Sequence, residues 1–81
     1  MTERRIMLAI LNVLRQCGGH KVSEDTIFHQ VNCTLAPPAT AEVLRDNLRE
    51  CKEKGFADYT VDQLDGTERY FITDRGDTAL R

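Results

Sequence analysis

The chain predicts an α+β fold in which a three-helix core carries a small antiparallel sheet. Three observations predict it. Three segments repeat apolar residues at helical spacing, a fourth alternates apolar and polar residues around Asp65-Gly66, and Gly or Pro separates the segments. With 81 residues, 41% hydrophobic and 30% charged, the composition suits one globular domain over 1–81 rather than a disordered chain.

The first helix is expected in TERRIMLAILNVLRQCGG, where Ile6, Met7, Ile10, Leu11, Val13, Leu14 and Cys17 form a broad apolar stripe. Thr2 is the expected N-cap, and Gly18-Gly19 supplies the stop. The short His20-Lys21-Val22 stretch suits an edge strand. Ser23 then opens a second helix over Glu24–Asn32. Its first turn is acidic, and Ile27, Phe28 and Val31 form its buried face. Pro37 and Pro38 hold the following connection extended. The third helix is expected from about Thr40 to Lys54, with Leu44, Leu48 and Cys51 in one apolar row and Gly55-Phe56 as its C-terminal lock.

Asp65-Gly66 reads as the centre of a two-residue type I′ hairpin turn. That turn opposes Leu64 to Thr67, Asp62 to Arg69, Val61 to Tyr70 and Tyr59 to Ile72. It gathers Tyr59, Val61, Tyr70 and Ile72 on one apolar face. Thr73 is positioned to cap a last short helix.

The order helix, short strand, helix, helix, strand, strand resembles the winged helix over essentially the whole chain. LRDNLRECKEKGFADY resembles the recognition-helix segment of MarR- and PadR-like transcriptional regulators. Ile72-Thr73-Asp74-Arg75-Gly76 is similar to the Leu-Thr-x-x-Gly ending of their wing. The resemblance implies a DNA-binding, transcription-related module with the third helix as recognition helix. Winged helices also serve as protein-interaction modules, which is the alternative.

Charge sharpens that choice. The net charge of −2 offers no global field toward nucleic acid, so binding to double-stranded DNA has to rest on a local patch. Arg45, Arg49 and Lys52 form one basic stripe on the third helix, with Thr40 and Asn47 as added polar contacts. An arginine at this position suits phosphate or the O6 and N7 acceptors of guanine. Arg4, Arg5 and Lys21 are secondary candidates for backbone contacts. Beside the stripe run Glu42, Asp46, Glu50 and Glu53, so Glu42–Arg45, Asp46–Arg49 and Glu50–Lys54 are also expected as surface ion pairs. The last third sets Arg69, Arg75 and Arg81 against Asp58, Asp62, Asp65, Glu68, Asp74 and Asp77. An acidic wing with Leu64 at its tip suits a protein partner or homodimer better than phosphate.

Other chemistries find little purchase. Cys17-x-x-His20 and His29-x-x-x-Cys33 have ligand-like spacing, but they fall on separate elements, and the expectation is no metal and no cofactor. No nucleophile motif or glycine-rich phosphate loop is present, so neither an enzyme nor a small-molecule substrate is expected. The longest apolar run, Ile6–Leu11, is too short for a bilayer, no secretory signal is evident, and three cysteines suit reduced thiols. A cytoplasmic protein is expected.

Overall fold

A computed structural model describes residues 3–18 and 20–80. Along the chain run α1 (Arg4–Gln16), β1 (Val22–Ser23), α2 (Glu24–Asn32), α3 (Ala41–Glu53), β2 (Ala57–Val61), β3 (Glu68–Ile72) and α4 (Asp74–Ala79). The three strands form an antiparallel sheet in the order β1-β3-β2. The architecture is α+β, as the sequence predicts.

Helix α1 is the centre of the packing and meets α2, α3, β3 and α4. Its buried residues are Ile6, Ile10, Leu11, Val13 and Leu14, the stripe that the helical period sets on one side. They join Ile27, Phe28 and Val31 of α2 and Leu44, Leu48 and Cys51 of α3 in one core, closed by Ala57 and Tyr70 of the sheet. Gly18 ends the first helix with φ +62, a conformation most side chains resist. The expected Thr2 cap and Gly19 lie outside the described residues. The residue that flanks α1 is Glu3, whose backbone N–H donates to Asn47 Oδ1 at 2.8 Å.

Side-chain oxygens cap the other helices. Ser23 Oγ accepts from the Thr26 N–H, Thr40 Oγ1 from the Val43 N–H, and Thr73 Oγ1 from the Gly76 N–H. Between α2 and α3, the Asn32 side chain donates to the Ala39 carbonyl at 3.2 Å and accepts from its N–H at 3.0 Å, which closes the proline-bearing connection. Helix α3 ends in a Schellman motif: Phe56 N–H donates to Cys51 O and Gly55 N–H to Lys52 O, with Gly55 at φ +79.

The hairpin differs from the expected register by two residues. Ala57 opposes Ile72, Tyr59 opposes Tyr70, Thr60 opposes Arg69 and Val61 opposes Glu68. A type I′ turn needs two successive residues at positive φ, and here only Gly66 adopts it. The aspartates favour a wider loop instead. Asp62 Oδ1 accepts from Leu64 N–H and Asp65 Oδ1 from Thr67 N–H, each at 2.8 Å, while Gly66 N–H donates to Asp62 O. The bonds from Thr67 also hold the Asp65 carboxyl below the usual carboxylate range.

A shift of two leaves every side chain on its expected face, whereas a shift of one would have exchanged them. The Asp62–Arg69 ion pair survives as a diagonal contact at 3.8 Å. Val61 is the exception to the expected apolar cover, because β2 runs past the core and leaves it 53% exposed.

At the other end of the hairpin, Thr73 ties three segments together. Its N–H donates to Phe56 O, and its hydroxyl donates to Gly55 O at 2.6 Å while capping α4. Gly76 lies buried beneath, where a Cβ would collide with the Phe56 carbonyl oxygen and crowd Ile72. The Thr-x-x-Gly pattern is therefore a clasp that fixes the root of the hairpin against the end of α3.

Candidate nucleic-acid interface

On α3 the residues follow one another by about 100° around the axis, so the buried row Leu44–Leu48–Cys51 determines where the rest face. Arg45, Arg49 and Lys52 lie on the flank turned toward α2 and the sheet. Together with Leu48, Glu24, Glu68 and Tyr70 they line a cleft of about 220 Å³. Glu42, Asp46 and Glu53 fall on the opposite side of the axis from the buried row, beside the exposed Arg49.

Each cation in the cleft has a different setting. Arg45 reaches across to α2, where Nε and the terminal nitrogen Nη2 both approach Glu24 Oε1, at 3.0 and 2.9 Å. This replaces the expected Glu42–Arg45 pair, because Glu24 sits across the cleft while Glu42 faces outward. Lys52 places its ammonium 4.4 Å from the centre of the Tyr59 ring, and Tyr59 in turn packs on Tyr70 with ring centres 5.7 Å apart. Arg49 makes no ion pair within 4 Å among the described residues, so the expected Asp46–Arg49 bridge is not formed. The Glu50–Lys54 pair does form, at 3.6 Å.

Tyr70 closes the back of the cleft. It is 5% exposed, and its hydroxyl donates to Glu68 Oε2 at 2.8 Å. Burial first, and then the bond to Glu68, push the phenol above its ordinary range. It is a neutral donor pointed at an acid at physiological pH.

Asn47 corrects the sequence reading outright. It is 0% exposed, accepts the Glu3 N–H and donates to the Val43 carbonyl at 2.7 Å, which makes it a strut between α1 and α3 rather than a surface contact. Thr40 is exposed at the start of α3, with its hydroxyl oxygen engaged in the cap.

The secondary candidates lie apart from the cleft. Arg4 lines a separate groove with Met7, Leu11, Lys54 and Phe56. Arg5 pairs with Glu3 at 3.6 Å and borders a groove between α1 and the α2–α3 connection. Lys21 sits 5.7 Å over the Phe71 ring. Leu64 at the hairpin tip is 98% exposed. Of the four ligand-like residues, Cys33 Sγ and His29 Nε2 approach to 4.0 Å, and among the described residues no three His, Cys, Asp or Glu side chains are placed to hold one metal ion. No helix among them is long and apolar enough to cross a membrane.

Sequence reasoning missed Glu24 as the partner of Arg45. Its only local signal is a place in the first turn of α2, which says nothing about a side chain 21 residues onward. Asn32 was missed for a similar reason, since an asparagine closing a helix reads as a terminus rather than a clasp.

No protein-family profile matches the chain, and no curated protein sequence does. Among solved structures, Bacillus subtilis PadR, determined in complex with operator DNA, superposes with a TM-score of 0.74. The match covers 95% of this chain and 44% of that one, at 21% sequence identity, so the chain spans less than half of that protein's length. Element order, sheet topology and this superposition agree that the fold is a winged helix.

Proposed function

We propose that the chain is a DNA-binding winged-helix module, transcription-related and acting in the cytoplasm, with α3 as recognition helix. The observation that carries this reading is the convergence of Arg45, Arg49 and Lys52 in one cleft between α3 and the wing. The likeness to a regulator solved on operator DNA supports it. Arg49, without an ion pair, is the first candidate for a phosphate or guanine contact, and Arg45 the second. Lys52 must leave the Tyr59 face to reach a phosphate, and Thr40 offers a hydroxyl at the helix start. Arg4, Arg5 and Lys21 serve as outlying backbone contacts, since none lines the same cleft.

Fluorescence anisotropy with a labelled duplex at about 50 mM salt tests the reading. The double change Arg45→Gln/Arg49→Gln is expected to weaken binding about tenfold or more and to flatten the salt dependence. Absence of duplex binding by the intact protein at that salt ends the proposal.

A second reading, a protein-interaction module or homodimer, draws on one specific feature. Leu64 and Val61 expose apolar surface at the end of an acidic hairpin. Light scattering across a concentration series tests self-association. A dimer dispersed by Leu64→Glu supports this reading, and a monomer that captures no protein counts against it.

A further inference from the structure

The contact between Glu24 and Arg45 leaves part of the guanidinium unused. Nε–H and one N–H of Nη2 converge on Glu24 Oε1, which occupies the side edge of the planar group. A guanidinium carries five donors in a fixed fork, so the end edge, formed by the two terminal nitrogens, keeps a pair of parallel N–H groups. Glu24 itself is well fixed. It is the first residue of α2, directly after the Ser23 cap, and Ser23 pairs with Arg69 in the sheet.

We infer that Glu24 is a specificity-determining residue of the proposed DNA interface. It cancels the charge that Arg45 would offer to any phosphate while leaving the donor pair that a guanine edge accepts. This inference rests on the DNA-binding reading. Sequence-independent affinity comes from cations neutralising phosphates, and each cation withheld lowers it. A base contact depends instead on the direction of the fork, which the tether to Glu24 restricts. The remaining free arginine, Arg49, supplies the general attraction. The interface thus divides its two arginines between holding any duplex and reading one.

The test measures anisotropy with a labelled 25-base-pair duplex of mixed sequence, using wild type, Glu24→Gln, Arg45→Gln, the double variant and Glu42→Gln. Glutamine at position 24 keeps the shape and removes the charge. Glu24→Gln is expected to tighten mixed-sequence binding about two- to fivefold, the range of an exposed ion pair. The slope of log affinity against log salt should steepen by about one. Both gains should vanish in the Arg45→Gln background. Glu42→Gln, which removes an acid that faces outward, should gain less, and its gain should not depend on Arg45. From a randomised duplex pool, Glu24→Gln should retain a flatter base preference than wild type.

Unchanged or weaker binding by Glu24→Gln overturns the inference and leaves the DNA reading intact if wild type binds. So does a gain that persists without Arg45, which marks a general charge effect, or a base preference as sharp as that of wild type. Failure of wild type and every variant to bind duplex rejects the DNA reading, and the role of Glu24 with it.

Discussion

The root and the tip of the hairpin are built from the same alternating strands, yet they meet opposite conditions. At the root, Ala57 and Ile72 face each other against the core, and Thr73 and Gly76 fasten β3 to the end of α3. At the tip, Val61 and Leu64 look into solvent, and the order beyond the ladder is local: two aspartates fold back on their own backbone, Gly66 N–H donates to Asp62 O, and Asp62 pairs with Arg69. The difference teaches that the hairpin's ending, Thr-x-x-Gly, is a packing requirement, whereas its tip is free to serve a surface. A short glycine contact therefore says more about the fold than the exposed leucine does.

The largest expected effect comes from breaking the root. Gly76→Ala forces a methyl group into the Phe56 carbonyl, and backbone has little room to yield. A loss of about 3 kcal/mol is expected, at the upper end for overpacking, or about 10 °C or more in Tm for a chain of this size. Thermal unfolding followed by circular dichroism measures it. A change within about 0.5 kcal/mol, the size of an ordinary surface substitution, would show that the clasp is not rigid.

A smaller effect comes from the buried thiol of Cys51, a residue whose backbone carbonyl accepts the Phe56 N–H beside that root. Burial, helped by the charge of Glu50, pushes the Cys51 thiol from 9.0 up to about 12. The unfolded thiol loses its proton first, so between these values the unfolded state binds fewer protons and stability falls as pH rises. The phenol of Tyr70, also raised, acts in the same direction. Urea midpoints at pH 8 and pH 10.5 should decline, and Cys51→Val should lessen the decline. An equal decline in the variant assigns it elsewhere.

The smallest effect belongs to the tip. Leu64→Glu removes no packed contact and should change stability by less than about 0.5 kcal/mol. A substantial loss in the same urea measurement would mean that the tip is held by something other than its own turn, and the contrast between root and tip would fail.

How much was legible follows from the range of each interaction. Helix α2 begins and ends where the sequence reading placed it, because cap, acidic first turn and apolar period all act within a few residues. The hairpin's faces were legible from alternation, but its turn was not. Asp65-Gly66 fits two loops, and the choice depends on the Asp62 carboxylate joining from three residues earlier. Asn47 was misread because three polar faces of a helix look alike until α1 arrives with an unpaired N–H. The cleft itself was half legible. Spacing aligned Arg45, Arg49 and Lys52, while Glu24 and Tyr59 reach them only through the tertiary fold.

The Thr73 junction also has a mechanical consequence. A strand of five residues is about 17 Å long, so the hairpin is a cantilever clamped at one end, and its clamp is the same point that terminates α3. Bending at the support would strain the Schellman motif and the α4 cap together. The end of α3 and the root of the wing thus share one support, and a partner that touches both bears on the same junction.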